Sequence, residues 1–460
     1  MTIRRLAPLV ASLLGVGAAH CNSNPPPESQ TPSTAQPPPS SEPVAVTPTP
    51  APSASAMPPA SDTSASSGAS GSISAEITTR FAHDSNLFGF DLYQRVRTQK
   101  GNIVVSPASI TTALTMAWAG AKGDTADQMR KVLHLEGTPQ EVLQSAGKLS
   151  SALQEPTRPI KFRIANRLFG EKTYKFESPF LESTKAAFGA PLEAVDFIKA
   201  PEPTRVRINA WVEEQTEKRI KDLIPAGTIK PDSRLVLVNA LYFLGDWQTP
   251  FDKEKTKPSP FHVNATTKKD VSTMRREDRL RFVQQDGLKA LEIGYKGGQM
   301  SMLFVLPDKV DGVEALEKSL DNGKIADLVS ALKPQTVNVE VPKFEINPSA
   351  SLALGDRLQE MGMTLAFNRR TADFTGIANP PSPDDKLYIS QVFHKAFVKV
   401  DEKGTEAAAA SAVVMMRATA MPMPEKVAQF HADHPFLFFI RDNATGMILF
   451  NGRVADPSAK

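Results

Sequence analysis

Apolar residues recur at helical spacing through Phe81, Phe88 and Leu92, which predicts a first helix from about Glu76. Ser106-Pro107 reads as a cap followed by a proline at the first helical position. In the helix that follows, SPASITTALTMAWAGA, apolar positions are nearly continuous, so it is expected to be buried on all sides. Thr125 is placed to cap a further helix, TADQMRKVLHL, and a helical pattern also runs through VRINAWVEEQTEKRIKDLI. Strands dominate the second half: RLVLVNALYFLG, SMLFVLP, TVNVEVPKFEI, FHKAFVKV, HPFLFFI and GMILFNGRV are rich in β-branched and aromatic residues. LVLVNALYF and PFLFFI are apolar on both faces, as central strands covered from two sides must be. There is no strict βαβ alternation and no repeat of fixed period. The expectation is one large α+β domain over residues 76–460.

The first 75 residues carry none of this periodicity. The start, MTIRRLAPLVASLLGVGAAHC, has a positive end at Arg4 and Arg5. An apolar run from Leu6 to Val16, too short to span a bilayer, and then small residues follow it. Residues 1–21 thus read as a secretory signal. Two endings are open. Either Cys21 becomes the lipidated first residue of a mature bacterial lipoprotein, or an ordinary signal peptidase cuts near Ala18. His20 just before the cysteine and Ala18 three before it depart from the lipoprotein pattern. The chain's single cysteine at this one place favours it. Residues 22–75 are almost all Pro, Ser, Thr and Ala, without Lys or Arg. Such a segment buries too little apolar surface to offset its ordering entropy, and reads as a disordered tether.

Composition removes several functions. One cysteine excludes a disulfide framework. Seven scattered histidines, with no HExxH and no CxxC pair, leave no zinc site, and no cofactor is expected. A formal net charge of +3 gives no case for a nucleic-acid partner. The only membrane contact expected is through lipid on Cys21. The localisation expected is secreted and extracytoplasmic, anchored to a bacterial envelope, with the protein a monomer.

Five segments stand in one order: NIVVSPASI, WAGAKGDTADQM, LVNALYFLGDWQTPFD, DEKGTEAAAASAVV and FHADHPFLFFIRDNATGMILFNGRV. In order and approximate spacing they resemble the serpin family, from about residue 78 to 456. The resemblance implies an α+β fold of three β-sheets with about nine helices and an exposed reactive-centre loop. It also implies an irreversible suicide-substrate inhibitor of serine-type endopeptidases, with cysteine-type ones admitted. The protein would be no enzyme and would supply no nucleophile. The protease's serine would attack the bait carbonyl and form a covalent acyl complex. The cut loop would then enter the main sheet and distort the protease's oxyanion hole, where each donor is worth a large factor in rate.

The segment that matters most is EKGTEAAAASAVVMMR, Glu402 to Arg417. Its alanines alone favour a surface helix. Under the resemblance, Glu402, Gly404, Thr405, Glu406, Ala407, Ala408, Ala409 and Ala410 form the hinge of the bait loop, exposed until cleavage. Alternate residues of a strand face one side. With Thr405 as the first inward residue, Ala407, Ala409, Ser411, Val413 and Met415 follow it inward, none of them charged. Glu406, the one charge of the other set, faces out. No proline lies between Thr405 and Met416 to remove a ladder donor.

The family's usual spacing from the glutamate matching Glu402 puts the cut between Ala418 and Thr419, where a small residue suits elastase-like or subtilisin-like proteases. One step back, Arg417-Ala418 suits trypsin-like ones. The loop runs long, so Met421 and Met423 also stand as baits, and the cut is bounded only by Met416 to Met423. Two supporting sites are carried over. A shutter beneath the main sheet matches Ser106, Ser109, Asn239 and His394, four polar residues in apolar surroundings that need shared hydrogen bonds. A breach where the loop enters matches Trp247, with Lys343 paired to Glu402. Asn443-Ala444-Thr445 reads as a turn between two strands.

The main rival is a non-inhibitory serpin acting as a surface binding or carrier module. Such members tend to have bulky, charged or proline-bearing hinges, which Thr405 and Ala407 to Ala410 are not. An enzyme finds no support in a GxSxG, a P-loop or a metal constellation.

Overall fold

A computed structural model describes residues 67–189, 192–382, 385–405 and 427–459. The leader with Cys21, tether residues 22–66, hinge residues Glu406, Ala407, Ala408, Ala409 and Ala410, and the bait span Met416 to Met423 with Arg417, Ala418 and Thr419 lie outside the described residues.

Nine α-helices lie among the described residues. The first five are α1 (Ser67–Val96), α2 (Pro107–Trp118), α3 (Gly123–Val132), α4 (Pro139–Leu153) and α5 (Ser178–Phe188). They are followed by α6 (Pro201–Gln215), α7 (Val313–Lys318), α8 (Asn322–Ala331) and α9 (Gly355–Glu360). The early strands are β1 (Ile103–Val105), β2 (Ile160–Glu171), β3 (Glu193–Val195), β4 (Leu235–Asp246), β5 (Lys257–His262), β6 (Lys268–Gln285), β7 (Leu288–Gly294) and β8 (Met300–Pro307). Then come β9 (Lys333–Pro342), β10 (Phe344–Ile346), β11 (Leu352–Ala353), β12 (Val392–Ala396), β13 (Val398–Val400) and β14 (Gly404–Thr405). β15 (Ala428–His431), β16 (Phe436–Asp442) and β17 (Ile448–Val454) close the chain.

Hydrogen bonding joins these strands into two networks. One has nine strands in the order β1-β17-β16-β8-β7-β6-β9-β15, with β5 on β6. Two of the expected three sheets merge here, because the 18-residue β6 pairs in turn with β5 over Lys268–Thr273, with β9 over Thr273–Phe282 and with β7 over Arg281–Gln285. The other has eight strands, β10-β13-β14-β4-β12-β11, with β2 on β4 and β3 on β2. β4 is its spine. Leu237, Leu241 and Phe243 face the main core with the wholly buried α2, whereas Val236, Val238 and Ala240 pack under α6 against Ile208 and Val212.

Several elements depart from the pattern reading. α1 starts ahead of the Glu76 boundary, so the last residues read as tether are helical. A helix nucleated by buried Phe81, Phe88 and Leu92 propagates backwards at little cost. Thr125 does not cap α3. Lys122 holds that position, and the buried Thr125 hydroxyl instead accepts from the Asp373 amide at 3.0 Å. The pattern running to Ile224 stops at Gln215, where Glu217 and Lys218 turn left-handed at φ 49° and 64°. Asn209 then clips the following segment to α6, bonding the amide and the carbonyl of Ile224 at 2.9 Å each. TVNVEVPKFEI breaks at Lys343 into β9 and β10, which belong to different networks. β2 and the long β6 were not read as strands at all.

Candidate functional site

The point of interest is where β4 changes partner. Along Leu237 to Leu241 it pairs in parallel with β12, from Val392 to Ala396. Four residues beyond Leu241, at Gly245 and Asp246, its partner is β14, with Thr405 opposite Gly245 and Gly404 opposite Asp246. Thr405 also pairs with Val400 of β13. The chain leaving β13 therefore turns through Asp401 to Gly404 and runs back between β13 and β4. The sheet is closed below and has a third strand begun above.

Residue type dictates the turn. A Cβ on Gly404 would sit 2.0 Å from the Gly245 carbonyl oxygen, so glycine alone fits. The Trp247 and Phe251 amides donate to the carbonyls of Lys403 and Glu402, each at 2.7 Å, and the Trp247 indole donates to Asp401 O at 3.0 Å. Glu402 is only 5% exposed and accepts two bonds from Lys343 Nζ, at 2.9 and 3.1 Å. Burial pushes its carboxyl upward, yet the bonds from Lys343 and its neighbours outweigh burial and hold it below the ordinary carboxylate value. The break between β9 and β10 is what puts Lys343 at this corner.

Thr405 was expected to be exposed before cleavage. It is fully buried, because it already occupies the gap, and its hydroxyl lies 2.7 Å from the Tyr295 hydroxyl. The Tyr295 ring stacks on Trp247, centroids 4.7 Å apart at 12°. The sequence reading missed Tyr295. A lone tyrosine after a strand and before Gly297-Gly298 carries no signal by itself.

Beneath the sheet, Ser106, Ser109, Asn239 and His394 are brought together. Asn239 and His394 stand directly opposite on β4 and β12. The Ser106 amide donates to His394 Nε2 at 3.1 Å, so Nδ1 carries the proton and donates to Asn239 Oδ1 at 2.8 Å. Asn239 Nδ2 donates to Ser109 Oγ at 2.6 Å and to Asn166 Oδ1 at 2.7 Å. Ser106 Oγ caps α2, accepting from the Ser109 amide at 3.2 Å. Complete burial drives the His394 pKa down to about 3, so the ring is neutral. Asn166 is the member that sequence reasoning missed. It was detectable only by first reading IKFRIANRLFGE as a strand, where it is the buried amide among alternating residues.

Asn443, Ala444 and Thr445 form the connection between β16 and β17, where Asp442 Oδ2 accepts from the amide and hydroxyl of Thr445 at 2.9 and 2.7 Å. Among the described residues no group of three His, Cys, Asp or Glu is placed to hold a metal, and no helix is long and apolar enough to cross a membrane.

A family profile described as Serpin (serine protease inhibitor) matches residues 83–457. The chain belongs to the serpin family. That places it with protease inhibitors rather than enzymes. It is 41% identical to human Serpin B4 over 390 residues, covering 80% of this chain and 97% of the relative. It is 40% identical to a leukocyte elastase inhibitor of Xenopus tropicalis over 379 residues, with the same coverage. Among solved structures, Serpin48 of the insect Tenebrio molitor superposes with a TM-score of 0.71 at 34% identity, over 82% of this chain and 98% of that one. Human thyroxine-binding globulin complexed with thyroxine superposes at a TM-score of 0.73 and 29% identity, covering 83% of this serpin and 100% of the globulin. The serpin fold is thus shared by a chain described as highly specific and one named for binding thyroxine.

Proposed function

We propose that this serpin is an irreversible suicide-substrate inhibitor of serine-type endopeptidases that holds its target as a covalent acyl-enzyme. The observation that carries the reading is the two-residue strand Gly404–Thr405, seated between β4 and β13 while β4 and β12 remain closed below. A chain that continues along this line needs small, uncharged inward side chains, and Ala407, Ala409 and Ser411 supply them. Cleavage at Ala418-Thr419 supports an elastase-like target, in keeping with relatives named leukocyte elastase inhibitors. Arg417-Ala418 is the second bond and would select a trypsin-like one. The leader and single Cys21 support export and lipid anchoring on a bacterial envelope, with residues 22–66 as spacer.

The test is direct. The purified protein is mixed with elastase, subtilisin and trypsin, and a covalent complex is sought on a denaturing gel, with mass spectrometry of the released peptide to place the cut. A stable complex with elastase or subtilisin and a peptide beginning at Thr419 is the expected outcome. Cleavage of the loop by all three without any complex would sink the trapping reading and leave the binding-module serpin.

A further inference from the structure

We infer that Tyr295 is a positioning residue for the reactive loop, its buried hydroxyl latching Thr405 into the sheet so that insertion starts from a formed strand end. The inference rests on the trapping reading above. The strand it secures is short: β14 is two residues long, so its backbone ladder supplies little hold of its own. The latch is rigid. The Tyr295 ring is fully buried between the Trp247 face and the edge of Phe243, whose centroid lies 5.0 Å away at 70°. Its hydroxyl therefore cannot swing to another partner, and among the described residues Thr405 Oγ1, at 2.7 Å, is the one it has. Burial holds the phenol well above its ordinary pKa, so the bond is between two neutral hydroxyls at any working pH.

When Thr405 leaves the gap, the Tyr295 hydroxyl stays in the core without a partner, because the ring is wedged. When it sits, both hydroxyls are satisfied. A buried hydrogen bond of this kind biases the seated state by about tenfold. The consequence reaches function through timing. The acyl-enzyme is trapped only if the loop inserts before water releases it, and a loop whose first inward residue is already in place skips the slowest step of strand growth.

The experiment uses Tyr295→Phe, Thr405→Val and the double variant in the full-length chain. Each single change leaves one hydroxyl buried alone, whereas the double leaves none. Hydrogen exchange of the Gly404 and Thr405 amides in uncut protein should quicken about tenfold in each single variant and return to within about threefold of wild type in the double. The ratio of cleaved serpin to covalent complex should rise in both singles and fall back in the double. A merely structural role for the ring predicts neither, since phenylalanine keeps the stack. Exchange unchanged in Tyr295→Phe, or effects that add in the double, overturns the latch. So does an unchanged ratio in both singles when wild type traps protease. If wild type traps no protease at all, the trapping reading fails, and the exchange data still decide whether the hydroxyl pair seats Thr405.

Discussion

The lower and upper ends of the β4 seam are closed in opposite ways. Below, two strands meet directly and are stitched by side chains, His394 to Asn239 across the seam and Asn239 to Ser109 of α2 beneath it and to Asn166 on the neighbouring β2. Above, the strands are held apart by Gly404 and Thr405, and the side chains around them are an ion pair, a hydroxyl pair and a stacked Trp247-Tyr295. The lower closure is a neutral network that resists parting because each member would lose its partner in a dry interior. The upper one is a wedge already driven in. Under the proposed trapping mechanism, a sheet built this way opens from its upper end.

The largest effect should come from spoiling the wedge. Thr405→Arg puts a charge at a fully buried position, where an unpaired charge costs several kcal/mol. That penalty applies before cleavage as well as after, so the uncut protein should eject its hinge. We expect the variant to be cut at the same bond and to release active protease, with covalent complex lowered by tenfold or more. Ala409→Arg should act less severely. Glu406→Arg, from the outward set, serves as the control. Trapping by Thr405→Arg equal to wild type would show that the upper end plays no part in insertion.

How much of this contrast was legible in the chain depends on range. The start of α2 was readable to the residue, since Ser106, Pro107 and an apolar run are local signals, although the helix ends at Trp118 rather than running on to Ala121. The partners of Ser106 were reachable only through family resemblance, because His394 lies 288 residues away and no local pattern brings it there. Lys343 and Glu402 were paired on the same footing. Asn166 and Tyr295 escaped both routes. One sat in a strand whose alternation, with Lys161, Arg163 and Arg167 on one face and Ile160, Phe162, Ile164 and Leu168 on the other, was present but unread, the other at a strand end where an aromatic residue signals only burial. Thr405, at the start of the hinge, was misjudged as exposed for a related reason. Composition tells which side chains a sheet will accept, and not how far the chain has already entered it.

Breaking the lower closure should have an intermediate effect, on stability. Asn239→Ala leaves His394 Nδ1–H without its partner, at about 1–3 kcal/mol for the stranded group, and Asn166 Oδ1 with only the longer 3.5 Å bond from Ser109 Oγ. A fall in the denaturant midpoint with unchanged slope is expected. The same network predicts a pH dependence. His394 has a folded pKa near 3, below its unfolded value of about 6.5, so the unfolded chain binds the extra proton between them. Its stability contribution is therefore complete above about pH 6.5 and lost as pH falls towards 3, at up to about 1.4 kcal/mol per pH unit. His394→Gln should flatten that slope by about one proton between pH 6 and 4. An equal slope in variant and wild type would mean that some other group carries the dependence.

The smallest effect concerns the ion pair at the wedge, and here the two partners are unequal. Glu402 is buried, while the Lys343 side chain is 38% exposed. Solvent screens a half-exposed pair, so its net worth is about 1 kcal/mol or less. Removing the two ends is nevertheless not symmetric. Lys343→Met strands a carboxylate in a nearly dry site, whereas Glu402→Gln leaves a lysine that turns to water and an amide that still accepts. We expect Lys343→Met to cost more than Glu402→Gln, by about 1 kcal/mol at pH 7. The difference should shrink in acid. The Glu402 carboxyl lies below its unfolded value when paired, so that stability is present above the unfolded pKa and fades as pH falls through the folded one. In Lys343→Met the stranded carboxyl should instead take up its proton more readily than in wild type, relieving the cost. Denaturant melts of both variants at pH 7 and pH 4 decide the matter. Equal losses at pH 7 would show that Glu402 is held by the Phe251 amide on its carbonyl rather than by the lysine. The wedge would then owe its stability to the turn alone.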